Sequence, residues 1–250
     1  VPTPFFRVRN HGVKTWIGTS GFSYPAWRGS FYPEKMPPAK MLAYYAERLT
    51  TVEINNTFYR MPKAEMLAGW AATTPANFRF APKAPQLITH RQKLEKLAGA
   101  ADSVGYFLKA LSSFGEKLGP ILFQLPPFLR RDVPRLADFL TLLPREIRAA
   151  FEFRHTSWFD ESVYEALRAH GAALCVADAE DLATPLVATA SWGYLRLRRT
   201  DYDEAALAAW AKKLAGMAPT WTAAFVYFKH EDAGLGPKLA AQFVEKLAQG

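Results

Sequence analysis

Cysteine is almost missing from this chain: Cys175 stands alone among 250 residues, which excludes an internal disulfide and a thiolate-built zinc site. Long apolar runs are missing as well. No stretch approaches the ~18 residues of a transmembrane helix, so no membrane partner is expected, and a reducing, cytoplasmic setting is the default. Val1 to Lys14 carries Pro2, Pro4 and basic residues but no apolar signal core, and it reads as an N-terminal tail (1–14) ahead of a single domain over 15–250. Also absent are a G-x-G-x-x-G after the first strand, a Walker loop, G-x-S-x-G, H-x-H and H-E-x-x-H. The usual dinucleotide, phosphate-loop, serine-hydrolase and zinc-helix signatures therefore do not apply. No linker rich in Pro, Gly or Ser divides the chain.

What is present is an ordinary globular composition with a basic excess. Half the residues are apolar and 22% are charged, enough to bury a sizeable core. Lys and Arg outnumber Asp and Glu by 31 to 23, a net charge of +8. Such a balance suits an acidic partner, with nucleic acid, a phosphorylated metabolite and an anionic surface all open.

Short β-like runs alternate with helical stretches. Strand candidates begin near Thr15, Thr51, Phe78, Gly119, Ala149, Ala172, Trp192 and Trp221, with room between them for a βα unit each time. Helical periodicity covers Ala39–Leu49, Val133–Leu143, Ser162–His170, Asp203–Met217 and Gly236–Leu247. Ala179–Ser191, interrupted by Pro185, supports no helix. Eight βα units predict an α/β fold, a single-domain TIM (β/α)8 barrel; a doubly wound sheet usually has fewer strands.

In such a barrel, function sits at the C-terminal strand ends, and strand alternation says which side chains face the axis. TVEIN sets Glu53 and Asn55 opposite Val52 and Ile54. FRFAPK sets Arg79, Ala81 and Lys83 opposite Phe78 and Phe80. AFEFR turns Glu152 and Arg154 inward, and YLRLR does the same with Arg196 and Arg198. Burying charge costs several kcal/mol per ion unless it is paired or solvated. The inward set is therefore either a self-neutralising network that holds the barrel together or a pocket for a polar, anionic ligand.

Other strand-end groups add to this set. His90, His155 and His230 follow the third, fifth and eighth strands, Gln124 ends the fourth and Asp178 the sixth; His11 and His170 lie elsewhere. Glu53, Glu152, His155 and Asp178 are the candidate ligands for a divalent metal (Zn, Mn or Mg), although no metal-type spacing marks them. Glu53 and Glu152 are also a candidate acid–base pair, but neighbouring Arg and Lys would favour their ionised forms. The Gly-rich loop GTSGFSYPAWRG could make an anion nest beside Ser20, or only a turn. Tyr24, Trp27, Phe31, Tyr32, Phe58, Tyr59 and Trp158 either stack on bases or sugars or roof the barrel.

Five ordered motifs carry a family resemblance: IGTSGFSYPAWRGSFYPE, YYAERLTTVEINNTFYRMP, FRFAPKAPQLITH, FQLPP and FEFRHTSW. Together they resemble the YecE-like family, TIM-barrel proteins catalogued as a domain of unknown function, over about Trp16 to Lys246. The resemblance implies the barrel. Its likeness to endonuclease IV and xylose isomerase folds suggests DNA or sugar phosphates by fold analogy. Family-typical positions here are Gly18, Ser20, Trp27, Glu53, Asn55, Thr57, Tyr59, Lys83, Thr89, His90, Gln124, Pro126, Glu152, Arg154, His155 and Trp158. Two stretches depart from the family pattern. Arg196-Leu197-Arg198-Arg199 replaces an Arg-x-His-Gly pattern and Phe228-Lys229-His230 replaces Phe-Asn-Asn, each adding positive charge.

The expected function is a hydrolase or lyase acting on a phosphate-bearing substrate, nucleic acid (DNA or RNA) or sugar phosphate. Glu53, Glu152 and His155 are the candidate catalytic groups. Ser20, Trp27, Asn55, Tyr59, Lys83, His90, Gln124, Arg154, Trp158, Arg196, Arg198 and His230 are the candidate substrate contacts. The alternatives are a non-catalytic nucleic-acid or anion-binding barrel and a carbohydrate enzyme using the two glutamates.

Overall fold

A computed structural model of the chain describes residues 9–10, 12–96 and 99–249. Most of the expected tail, residues 1–8 and His11, lies outside the described residues. What is described of that stretch is already part of the sheet: β1 (Arg9–Asn10) pairs antiparallel with the start of β2 (Val13–Ser20).

Each of the eight expected strands is present. After β2 come β3 (Thr51–Ile54), β4 (Arg79–Pro82), β5 (Ile121–Gln124), β6 (Ala149–Glu152), β7 (Ala173–Asp178), β8 (Trp192–Leu197) and β9 (Ala223–Phe228). They run parallel in the order β4-β3-β2-β9-β8-β7-β6-β5. The ring closes between β4 and β5 through the isolated bridges Phe80–Leu118 and Lys83–Leu122, where Ala84 N–H donates to the Leu122 carbonyl at 2.8 Å. The fold is the predicted single-domain TIM barrel.

Helices pack outside the strands. They are α1 (Pro38–Ala46), the short α2 (Asn56–Tyr59), α3 (Ala64–Thr73), α4 (Ala100–Leu111), α5 (Val133–Leu140), α6 (Glu161–His170), α7 (Glu204–Gly216) and α8 (Leu235–Gln249). Three of them start where an aspartate accepts an otherwise unpaired N–H. Asp132 takes that of Arg135 at 3.0 Å, Asp160 that of Ser162 at 3.0 Å and Asp203 that of Ala206 at 2.7 Å. No helix joins β7 to β8, as Pro185 and the missing periodicity implied. The hydroxyl of Thr189 ties that connection to β7 instead. It accepts from Leu174 N–H at 2.7 Å and donates to the Ala172 carbonyl at 2.8 Å. Thr189→Val keeps the shape but leaves a buried N–H without a partner, so urea unfolding is expected to show a loss of about 1–3 kcal/mol.

Strand alternation divides the core in two. Val52, Ile54, Phe78, Phe80, Phe151, Phe153, Leu195 and Leu197 face outward into the layer shared with the helices. The inner face holds Trp16, Trp192, Tyr194, Phe225 and Tyr227 beside the small Ala81, Ala150, Ala173, Cys175 and Ala223. Large side chains on β2, β8 and β9 thus fill space left by the small residues of β4, β6 and β7 and by Ala223 at the start of β9, as barrel interiors require. Trp16 stacks on Phe225 at 4.7 Å between ring centres, and Trp192 meets the same ring edge-on at 6.2 Å. These rings floor the N-terminal end. Gly18 permits a close approach: a Cβ there would run into the Thr51 carbonyl of β3.

Candidate functional site

Above the aromatic floor, the interior changes from apolar to charged. Register places Ser20 beside Glu53 and Gln124 beside Glu152. Arg196, from β8, reaches across the axis between the two glutamates. Its Nη2 donates to Glu53 Oε1 at 2.8 Å and its Nη1 to Glu152 Oε2. All three side chains are at most 2% exposed.

The remaining lone pairs are also used. Glu53 accepts from Tyr194 Oη at 2.7 Å and from Ser20 Oγ, which in turn accepts from Asn55 Nδ2 at 2.8 Å. Glu152 accepts from Gln124 Nε2 at 2.8 Å and from Arg198 Nη1 at 3.4 Å. Gln124 turns its carbonyl oxygen to Lys83 Nζ at 2.7 Å. One continuous network therefore runs from Lys83 through Gln124, Glu152 and Arg196 to Glu53, Ser20 and Asn55.

Over this network opens a cavity of about 570 Å³ lined by Tyr24, Asn55, Phe58, Tyr59, Lys83, Gln86, His90, Gln124, Arg154, Arg196, Arg198, Lys229 and Glu231. The charge balance is informative. Two carboxylates below are met by two guanidiniums, those of Arg196 and Arg198. Lys83, Arg154 and Lys229 remain, against Glu231 in the wall and a distant Asp181 at 3.9 Å from Arg154.

Titration follows the same arrangement. Burial pushes the Glu152 carboxyl up, but the Arg196 and Arg198 charges outweigh it and hold the group at about 2. Burial and then Arg196 bring the Lys83 ammonium down to about 8, against the opposing pull of Glu152 and Glu53. Lys229 is lowered by burial and by Arg198 and Arg196. Burial, Lys83 and Arg154 lower His90, favouring its neutral form.

Of the residues singled out from sequence, Asn55, Tyr59, Lys83, His90, Gln124, Arg154, Arg196 and Arg198 line the cavity, and Ser20, Glu53 and Glu152 lie beneath it. Others are set back because neighbouring backbone or core claims them. Trp27 is fully buried and donates to the Glu231 carbonyl at 2.9 Å. Trp158, equally buried, stacks on Phe153 at 4.5 Å. His155 Nδ1 accepts from Ser157 N–H at 3.1 Å and so caps a short 3-10 turn, while His230 Nε2 bonds the Arg199 carbonyl. The nest expected beside Ser20 is not free for an anion, since Gly21 (φ 94°) donates its N–H to the Glu53 carbonyl at 2.8 Å.

The suggested metal ligands do not converge. Glu53 and Glu152 are tied to Arg196, and Asp178 accepts from Tyr202 Oη and Trp210 Nε1, each at 2.9 Å, beside Arg199. Among the described residues no three His, Cys, Asp or Glu side chains form a metal-holding group, so these residues do not fit a divalent ion.

Gln86 and Glu231 in the wall and Tyr194 below it were not singled out from sequence, and Lys229 was met only as a departure from the family pattern that adds positive charge. Tyr194 shares the inward parity of Arg196, and Lys229 that of Phe225 and Tyr227, so alternation could have found both. Gln86 and Glu231 come from loops, where no periodicity applies.

Fold and site together define a parallel eight-stranded barrel protein whose C-terminal mouth is a cation-rich cavity over a buried ionic network. The chain matches, over residues 16–250, the family model described as protein of unknown function DUF72, and it belongs to that family. It is 33% identical over 145 residues to the UPF0759 protein YecE of Escherichia coli (strain K12), covering 58% of this chain and 50% of that protein. Its identity to the UPF0759 protein YunF of Bacillus subtilis (strain 168) is 29% over 155 residues, covering 60% and 54%. The aligned part thus spans about half the length of these curated relatives. A DUF72 family protein from Thermotoga maritima superimposes with a TM-score of 0.78 at 25% identity, covering 94% of this chain and 99% of that one. One from Enterococcus faecalis gives 0.78 at 19% identity, covering 94% and 95%, a likeness of fold. The resemblance carried by the five motifs is thereby confirmed. Among the described residues no helix is long and apolar enough to cross a membrane.

Proposed function

We propose that the cavity binds a small phosphate-bearing substrate and that the protein acts on it as a hydrolase or lyase. The observation that supports this most is the charge count: Lys83, Arg154 and Lys229 gather in one cavity, against Glu231 in its wall and Asp181 3.9 Å from Arg154, after both buried carboxylates have been neutralised by Arg196 and Arg198. Gathering like charges in a half-buried space is unfavourable, and an anionic ligand offsets it. A volume near 570 Å³ suits a sugar phosphate or mononucleotide better than a duplex. In this reading Glu53 and Glu152 orient Arg196 rather than carry protons. A carbohydrate enzyme needs one of them as a proton donor, which their ion pairing disfavours.

Titration calorimetry with glycerol 3-phosphate, inorganic phosphate and a short DNA or RNA oligonucleotide tests the reading. The phosphate ester is expected to bind, more weakly as salt rises. Lys229→Ala should weaken binding about 10–100-fold, because a charge-assisted hydrogen bond contributes about 1.5–3 kcal/mol. No binding at low salt would refute the proposal, and oligonucleotide affinity far above that of the ester would move it to nucleic acid. Ligand binding without turnover of any phosphate ester would favour the non-catalytic alternative.

A further inference from the structure

Guanidiniums alone could hold a phosphate, yet the cavity wall also contains a sheltered lysine. Lys83 directly follows β4, and its backbone is pinned. Its N–H donates to the Ile54 carbonyl at 3.0 Å and its carbonyl accepts from Thr57 Oγ1 at 2.7 Å. The side chain is 8% exposed. Its nitrogen has neutral partners, the Gln124 amide oxygen at 2.7 Å and the Phe58 ring at 3.9 Å. A lysine meant only to attract anions gains from a solvated or carboxylate-paired setting that keeps it charged. Burial and the neighbouring Arg196 do the reverse here, bringing it to about 8 against the opposing pull of Glu152 and Glu53, so roughly a tenth is free amine at pH 7. His90, whose ring meets that of Phe58 at 5.0 Å, adds to the same wall an imidazole that burial, Lys83 and Arg154 push toward its neutral form.

We propose that Lys83 is a covalent nucleophile whose amine forms an iminium with the carbonyl carbon of a phosphorylated aldehyde or ketone. This inference rests on the phosphate-binding reading of the cavity and names its substrate class. The nitrogen lone pair makes the new N–C bond while the carbonyl π pair moves onto oxygen. One proton passes from nitrogen to that oxygen and a second comes from solvent. The oxygen then leaves as water with the C–O bonding pair, and the nitrogen lone pair closes the C=N⁺ bond. Arg154 and Lys229 remain for the phosphoryl group. The iminium can accept the electron pair of an adjacent C–H or C–C bond, which is lyase or isomerase chemistry.

Borohydride trapping tests this on the intact protein, with dihydroxyacetone phosphate and glyceraldehyde 3-phosphate as probes and peptide mass mapping as the readout. A single reduced adduct on the Lys83 peptide is expected, forming at least tenfold faster than on exposed lysines such as Lys212. Its rate should rise about tenfold from pH 7 to 9 and level off above about 8, whereas an ordinary lysine keeps climbing toward its value of about 10.4. Lys83→Arg should abolish trapping at this peptide and leave the slower labelling of Lys212 unchanged. No adduct with either probe, or labelling no faster than at Lys212, overturns the nucleophile if glycerol 3-phosphate still binds. Failure of that ligand to bind as well brings down the phosphate reading with it.

Discussion

Arg196→Met is expected to destabilise the barrel by about 3–5 kcal/mol at neutral pH, the usual cost of leaving buried charge unpaired. For a chain of this length that corresponds to a fall in Tm of roughly 6–20 °C. The guanidinium sits between Glu53 and Glu152, and methionine fills comparable volume without neutralising either. Arg198, 3.4 Å from Glu152, compensates only one of them. The pH dependence gives a sharper signature. In the parent protein Glu152 is held down at about 2 from an ordinary 4.5. Its stabilisation is therefore present above about 4.5 and lost as pH falls through about 2. Removing Arg196 leaves burial as the leading influence, which raises the carboxyl. The variant's deficit should then shrink as pH falls and the carboxyls take up protons. Urea unfolding at pH 8, 6 and 4 measures this. A deficit below 1 kcal/mol, or one that does not narrow on acidification, contradicts the assignment. Adding Glu53→Gln and Glu152→Gln to Arg196→Met should recover much of the loss, because the charges needing a partner are then gone.

Phe225→Ala is expected to cost a similar amount, about 3–5 kcal/mol, for a different reason. Its ring is fully buried, stacked on Trp16 at 4.7 Å with planes 5° apart and met edge-on by Trp192. Truncation opens a cavity where two indoles lose a common neighbour, and the surrounding strands cannot close in without breaking their ladder. The Arg148 guanidinium, 5.9 Å from the ring centre, does not titrate in this range, so the loss should be nearly constant between pH 8 and 6. A loss under 1 kcal/mol in the same urea series would show that the floor repacks.

Much of this arrangement could be read from residue alternation. TVEIN, FRFAPK, AFEFR and YLRLR each alternate apolar with charged positions, so the inward placement of Glu53, Lys83, Glu152 and Arg196 followed from a period of two. Helices α5 and α6 were legible from the spacing of their apolar residues, Leu136, Phe139 and Leu140 in one and Val163, Tyr164 and Leu167 in the other. Helices α3 and α4 were not identified from the sequence; in α3, AEMLAGWAAT is alanine-rich and only Leu67 is buried. Pairing across the barrel was not legible. That one guanidinium would bind both glutamates depends on strand stagger, which alternation does not encode. Nor could sequence separate cavity aromatics from core aromatics. Tyr59 is 74% exposed whereas Trp27 is fully buried, though both follow strand ends. The histidines were over-read for a related reason: proximity to a strand end does not tell whether a ring faces ligand or, like His155, caps a turn.

The aromatic floor has a further meaning for traffic through the molecule. With Trp16, Phe225 and Trp192 closing the axis from below, the barrel is a cul-de-sac rather than a conduit. Whatever enters at the mouth must leave by the same doorway, so arrival of a new molecule waits on departure of the old one.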